Sequence, residues 1–172
     1  MNPSTYRLSV FTTTAIGGHS GHEIGDYLIQ SDHDARNKQC HTRPDVPISD
    51  DDHRSPCQRV RDGHVSLGRH GLTYGLAQMV TKALAYRVAG VEVPFAAQLA
   101  GTLAEAGFHV VVDDGRLLRK FAAATNKLGF HDLNAGGVNG RMLLDQATHK
   151  GLQLMVGAAV TTGVAAWLRR KR

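Results

Sequence analysis

Three histidine–aspartate pairs recur at one spacing. His22 and Asp26, His109 and Asp113, and in reverse order Asp145 and His149 are each four residues apart. On a helix that spacing puts both side chains on one face, a turn apart. His70 adds a fourth imidazole, in Gly68-Arg69-His70-Gly71-Leu72-Thr73-Tyr74. Imidazole and carboxylate are the usual ligands of Zn, Mn, Fe or Ni in sites without thiolates. Seven such groups exceed what one ion needs and suffice for two ions about 3.5–4 Å apart. Such a centre makes hydroxide available near neutral pH and serves hydrolysis best, above all of a phosphoester such as a nucleotide or nucleic acid. The expected ligands are His22, Asp26, His109, Asp113, Asp145 and His149, with His70 a seventh ligand or an acid/base. Asp32, His33 and Lys38 follow the first pair and could serve as general acid or phosphate contact, while Gln30 extends the first face by a turn. For any single pair the plain alternative is a hydrogen bond along one helix. Several pairs together favour a shared centre, because burying so many polar groups uncompensated is costly.

The elements that must carry these residues read as an all-α bundle of four to five helices in a single domain over 1–172, with a long irregular insertion at about 36–66. Residues 6–34 read as a first helix, with Ile24, Tyr27 and Leu28 as its apolar part. Gly17, Gly18 and Gly21 mark either a kink or a true start at Ser20, where Ser20 and Glu23 have capping-box spacing. The insertion carries Pro44, Pro47, Pro56 and the run Asp50-Asp51-Asp52. It also holds Cys40, His41, His53, Cys57 and His64, which form either a small zinc knuckle of irregular spacing or an ordinary polar loop. From Leu67 to Val88 the pattern is helical, with Leu72, Leu76, Met79, Val80 and Leu84 as a buried stripe. Gly90 then stops that helix and Pro94, at N1, starts a helix running to about Ala124 with a break at Asp114-Gly115. An Asn/Gly-rich loop from Asn134 to Gly140 precedes a last helix, Arg141 to Leu168.

Charge is unevenly spread. Residues 1–65 hold 7 Lys/Arg against 9 Asp/Glu, while 66–172 hold 13 against 6, four of the basic residues being the tail 169–172. A basic C-terminal half suits a polyanion or an anionic membrane surface. It therefore supports a rival reading, a non-catalytic interaction protein that holds nucleic acid, a protein partner or a membrane surface. No helix-turn-helix or aromatic platform accompanies it. Two cysteines are too few for a secreted disulfide scaffold, and Thr12, Thr13 and Thr14 interrupt any leader-like apolar run. The expectation is a cytoplasmic protein, membrane-associated at most through 151–172. Gly151 to Leu168 is eighteen residues without a charge, yet Gln153, Thr161 and Thr162 make it only mildly apolar. A buried core helix, or one lying against a membrane, is preferred to a true span.

At the same residues the chain resembles a family of small bacterial and phage proteins of unknown function. The resemblance rests on a Gly-His-x2-Gly-Asp-Tyr-x2-Gln-x-Asp-His-x-Ala-x2-Lys block, matched by Gly21, His22, Gly25, Asp26, Tyr27, Gln30, Asp32, His33, Ala35 and Lys38. His70, Thr73 and Tyr74 match a His-x2-Thr-Tyr element. His109 and Asp113 match His-x3-Asp, and Leu144, Asp145, Gln146 and His149 match Leu-Asp-Gln-x2-His. The resemblance implies one unit and no particular reaction. More distantly, the His/Asp spacing is similar to that of membrane-bound metal-dependent hydrolases.

Overall fold

The structure, a computed structural model, describes residues 1–171. It is almost entirely helical; the strands among the described residues are one antiparallel pair, Asn134–Ala135 with Val138–Asn139. Four long helices make the bundle: α1 (Pro3–Glu23), α3 (Pro56–Ala89), α4 (Phe95–Asp113) and α8 (Leu154–Arg170). They pack in ring order α1, α3, α4, α8 and back to α1. Shorter helices α2 (Asp32–Asn37), α5 (Arg116–Ala124), α6 (Leu128–His131) and α7 (Gly140–Thr148) occupy the two long connections.

Local chemistry sets the boundaries. Asn2 caps α1, accepting from the Thr5 amide at 2.8 Å. Ser55 and Gln58 form a capping box ahead of α3, so α3 begins at Pro56 and the irregular insertion ends about ten residues earlier than expected. Gly90, at φ +63°, ends α3, and Gly115, at φ +79°, separates α4 from α5. Pro94 sits at the N-cap of α4, one residue before the expected N1. The Asn/Gly-rich loop is the tight hairpin that joins the two short strands.

The first helix departs from expectation. α1 is continuous through its glycines, and Ser20 caps nothing. Those glycines serve close approach instead: a Cβ on Gly17 would lie 2.9 Å from Lys82 Cα, and one on Gly21 2.5 Å from Thr81 Oγ1. After Glu23 the helix widens into a π turn, Ile24–Ile29, and ends there rather than at 34. Ser31 caps the separate α2, accepting from the Asp34 amide at 3.1 Å. A second π turn, His149–Gln153, joins α7 to α8, so Gly140–Arg170 runs as one widened helix.

The interior is unusual. One apolar cluster, Tyr6, Val10, Val91, Ala97 and Ala165, closes the end where the chain begins and finishes. Elsewhere the fully buried large side chains include Tyr74, Lys82, His22, His70, His109, His149, Gln78, Gln153 and Glu105. Four of the five residues of the stripe expected to be buried on α3 face outward, Leu72 67% exposed, Leu76 59%, Val80 59% and Leu84 56%, with Met79 half-buried. α3 keeps the expected helical period but presents the opposite face inward, because His70, Tyr74, Gln78 and Lys82 take the buried positions. Tyr27 and Leu28 are likewise exposed. Phe95–Asp113 and Gly140–Arg170 are long and apolar enough to cross a membrane by length and composition.

Candidate metal centre

The three pairs and His70 converge at one end of the bundle. α1 and its π turn bring His22 and Asp26, α3 brings His70, α4 brings His109 and Asp113, and α7 with its π turn brings Asp145 and His149. Three overlapping groups could each hold a metal ion: His22, Asp26 and His109; His70, His109 and Asp113; Asp113, Asp145 and His149.

The first two groups merge around His70 and His109, whose Nε2 atoms are 2.9 Å apart. Asp113 Oδ2 lies 3.1 Å from His70 Nε2 and 3.2 Å from His109 Nε2. Asp26 Oδ1 lies 3.5 and 3.4 Å from the same two atoms. Ligands bound about 2.0–2.2 Å from a tetrahedral ion are separated by about 3.3–3.6 Å, so this set already has nearly the right dimensions. The other oxygen of Asp113 faces the third group, 3.4 Å from His149 Nε2, which is 3.5 Å from Asp145 Oδ2. Asp113 thus bridges two candidate positions.

The hydrogen bonds behind these atoms orient them. Glu105 Oε1 accepts from the Tyr74 hydroxyl at 3.0 Å, and Glu105 Oε2 from Lys82 Nζ at 2.6 Å. With its one proton committed, the Tyr74 oxygen accepts from Gln78 Nε2 at 2.6 Å and from Gln153 Nε2. Gln153 must therefore turn its carbonyl oxygen toward the rings, where it accepts from His109 Nδ1 at 3.2 Å and from His149 Nδ1. In the neutral rings both Nε2 atoms are then lone pairs: that of His109 is 2.9 Å from His70 Nε2, which can donate to it, whereas that of His149 faces only the Asp113 and Asp145 carboxylates. The latter juxtaposition is repulsive unless a proton or a cation lies between. His149 Nε2, Asp26 Oδ1 and His22 Nδ1 are buried without a hydrogen-bond partner, the atoms that a cation would satisfy. Tyr74 also stacks on His109, with ring centroids 3.8 Å apart.

The surroundings complete the charge balance. Lys38 Nζ is 2.8 Å from Asp113 Oδ2, and Gln146 Oε1 is 3.0 Å from His22 Nε2. Burial pushes the Asp26 carboxyl up, but His70, 3.5 Å away, and the nearby His109 and His22 outweigh it and hold it below the ordinary range. Asp114, next along from the bridging aspartate, is held at about 2 by the Arg116 guanidinium with help from His41.

Not every expected residue arrives. Asp32 and His33 lie exposed on α2, the His33 ring 3.5 Å from Asp34 rather than at the centre, because the chain turns away at Gln30 and starts a new helix. Gln30 is half-buried with its Nε2 unpartnered. The zinc knuckle does not form among the described residues: Cys40 is buried and Cys57 exposed, both free, and His41 is bonded to Asp114 at 2.9 Å. Sequence reasoning missed Gln153, Glu105 and Lys82. For Gln153 a signal existed, since it stands four residues after His149.

A cleft of about 500 Å³ opens beside the centre, lined by Arg36, Gln39, Arg43, Arg119 and Arg141 among others. Gln39 Nε2 donates to the Asp113 carbonyl oxygen at 2.8 Å, tying the cleft wall to the bridging residue. Arg119 pairs with Asp132 at 3.1 Å, whereas Arg36, Arg43 and Arg141 have no carboxylate within ion-pair distance among the described residues. Burial, reinforced by Arg43, holds the Arg141 guanidinium below its ordinary range against the opposing pull of Asp145 and Asp113.

No family model matches the chain, and no curated protein or solved structure matches it either.

Proposed function

We propose that the protein is a metal-dependent hydrolase acting on a phosphoester, with His70 and the three His/Asp pairs as ligands of one or two divalent ions. The observation that carries this reading is Asp113, whose two oxygens face two separate sets of buried imidazole nitrogens and carboxylates. A bound Zn, Mn, Fe or Ni ion would supply activation of water and charge neutralisation at a phosphoryl group. The chain's own residues supply the rest. Gln153 holds His109 and His149 in the tautomer that presents Nε2, and Lys38 holds the bridging carboxylate. Arg36, Arg43 and Arg141 bind the anionic remainder of the substrate, as guanidinium groups free of carboxylates do. Asp32 and His33 have no part in the chemistry.

The test is metal content by mass spectrometry on protein purified without affinity tag or chelator, comparing wild type with His109→Ala/Asp145→Ala, followed by a phosphoester panel. One or two equivalents in the wild type, lost in the variant together with hydrolysis, is the expected result. Metal-free wild-type protein with its fold intact would return the pairs to structural hydrogen bonding.

A further inference from the structure

The bundle has its polarity reversed relative to a water-soluble protein, and the reversal is organised. On α3 the exposed residues between Arg69 and Arg87 are Leu72, Leu76, Val80, Ala83 and Leu84, while the one charge in that interval, Lys82, is buried against Glu105. On α4 the exposed residues between Glu92 and Asp114 are Phe95, Ala96, Leu99, Leu103, Gly107 and Val111, with Glu105 and Asp113 turned inward. On α8 no charge stands between Lys150 and Arg169, and Leu152, Met155 and Trp167 point outward. α1 has no Lys, Arg, Asp or Glu between Arg7 and Glu23 and exposes Leu8, Thr12 and Ile16, with the polar His19 and Ser20 exposed in its last turn before Glu23.

The limiting charges fall into two layers. Arg169 reaches the Met1 carbonyl at 3.1 Å and lies over the Tyr6 ring, and the Tyr6 hydroxyl donates to the Glu92 carbonyl at 3.0 Å. Those contacts gather Arg7, Glu92 and Arg169 at one end. Lys150 pairs with Glu23 at 2.7 Å, Arg69 with Asp34 at 2.8 Å, and Asp114 lies beside Arg116 at the other. Arg69 and Arg87 are eighteen positions apart and Lys150 and Arg169 nineteen, about 27–29 Å along a helix axis. The hydrocarbon core of a bilayer is about 30 Å thick.

We infer that α1, α3, α4 and α8 span a lipid bilayer together, with the acyl chains covering the apolar belt. The His/Asp centre and its arginine cleft then lie at one membrane surface. A second copy of the chain is the other candidate cover. However, a two-fold interface occupies one patch, whereas this belt lies on the outer faces of all four helices of a closed ring. Ionisable groups within spans face the bundle interior and pair with one another, as Lys82 and Glu105 do. Two of the four helices are apolar enough to cross a membrane by composition alone; of the other two, α3 turns His70, Gln78 and Lys82 inward, while α1 carries His19 and Ser20 at the surface. This inference does not depend on the metal or the reaction.

The experiment uses the full chain and its single tryptophan, Trp167, exposed near one end of the belt. Membranes from expressing cells are washed with alkaline carbonate, and detergent-purified protein is reconstituted into vesicles of phosphatidylcholine with a minority of phosphatidylglycerol. The expected results are retention in the washed membranes and loss of most Trp167 fluorescence when the acyl chains carry bromine. Recovery of folded protein from the soluble fraction without detergent, as a monomer or as an oligomer, would overturn the inference. So would Trp167 emission that bromine leaves unchanged.

Discussion

The two ends of the bundle are built on opposite rules. Where the termini meet, Tyr6, Val10, Val91, Ala97 and Ala165 make a small dry cluster of ordinary composition. At the far end the bundle buries four imidazoles and Asp113, with Asp26 and Asp145 half-buried beside them, and several of these atoms have no partner. The dry end gains from every contact it makes. The polar end is costly without a cation, since each buried unpaired group carries a penalty of about 1–3 kcal/mol. The difference separates a region shaped by folding from one shaped by a task.

Variants can sharpen that contrast. The largest effect is expected between the two ends, where Lys82→Met strands Glu105 without its partner; stability measured by thermal unfolding should fall by about 3–5 kcal/mol. Lys82→Met/Glu105→Gln should recover most of it, and a double variant as unstable as the single one would show that the pair is not the cause. At the dry end, Val10→Ala should cost about 2 kcal/mol and leave metal content unchanged. At the polar end, Gln153→Leu removes the amide that orients two imidazoles, so titration with Zn should show an affinity about 10–100-fold weaker. Equal loss of metal from Val10→Ala and Gln153→Leu would erase the distinction between the ends. The smallest effect concerns Asp114. Its folded pKa of about 2 lies below the ordinary 3.8, so its contribution to stability is present above pH 4 and is lost as pH falls toward 2. Asp114→Asn should flatten that part of an acid-unfolding curve.

Much of this was legible in the residues. Helix number, the break at Asp114-Gly115, the stop at Gly90 and the helical period of α3 follow from caps, glycines and apolar spacing. The pairing of His22 with Asp26, His109 with Asp113 and Asp145 with His149 is local and could be read from spacing alone. Which face of α3 points inward could not, because the rule that apolar residues go inside is reversed here; the stripe Leu72, Leu76, Val80, Leu84 has the same period on either face. The role of Gln153 was hidden for a related reason, since it stands in the least polar helix and reads there as a blemish. Asp32 and His33 were misassigned because periodicity does not register the turn at Gln30 that carries them away.

The two π turns have a consequence for how the centre is stored in the chain. Each is an α-helix holding one surplus residue, once beside Asp26 and once between His149 and Gln153. Deleting a single residue from either would let the backbone relax to a regular helix, leaving the flanking turns in register but withdrawing the bulged residues from the positions they now hold. The site is thus encoded as two small insertions in otherwise ordinary helices, and the shortest genetic route to losing it is one that leaves the helices better formed.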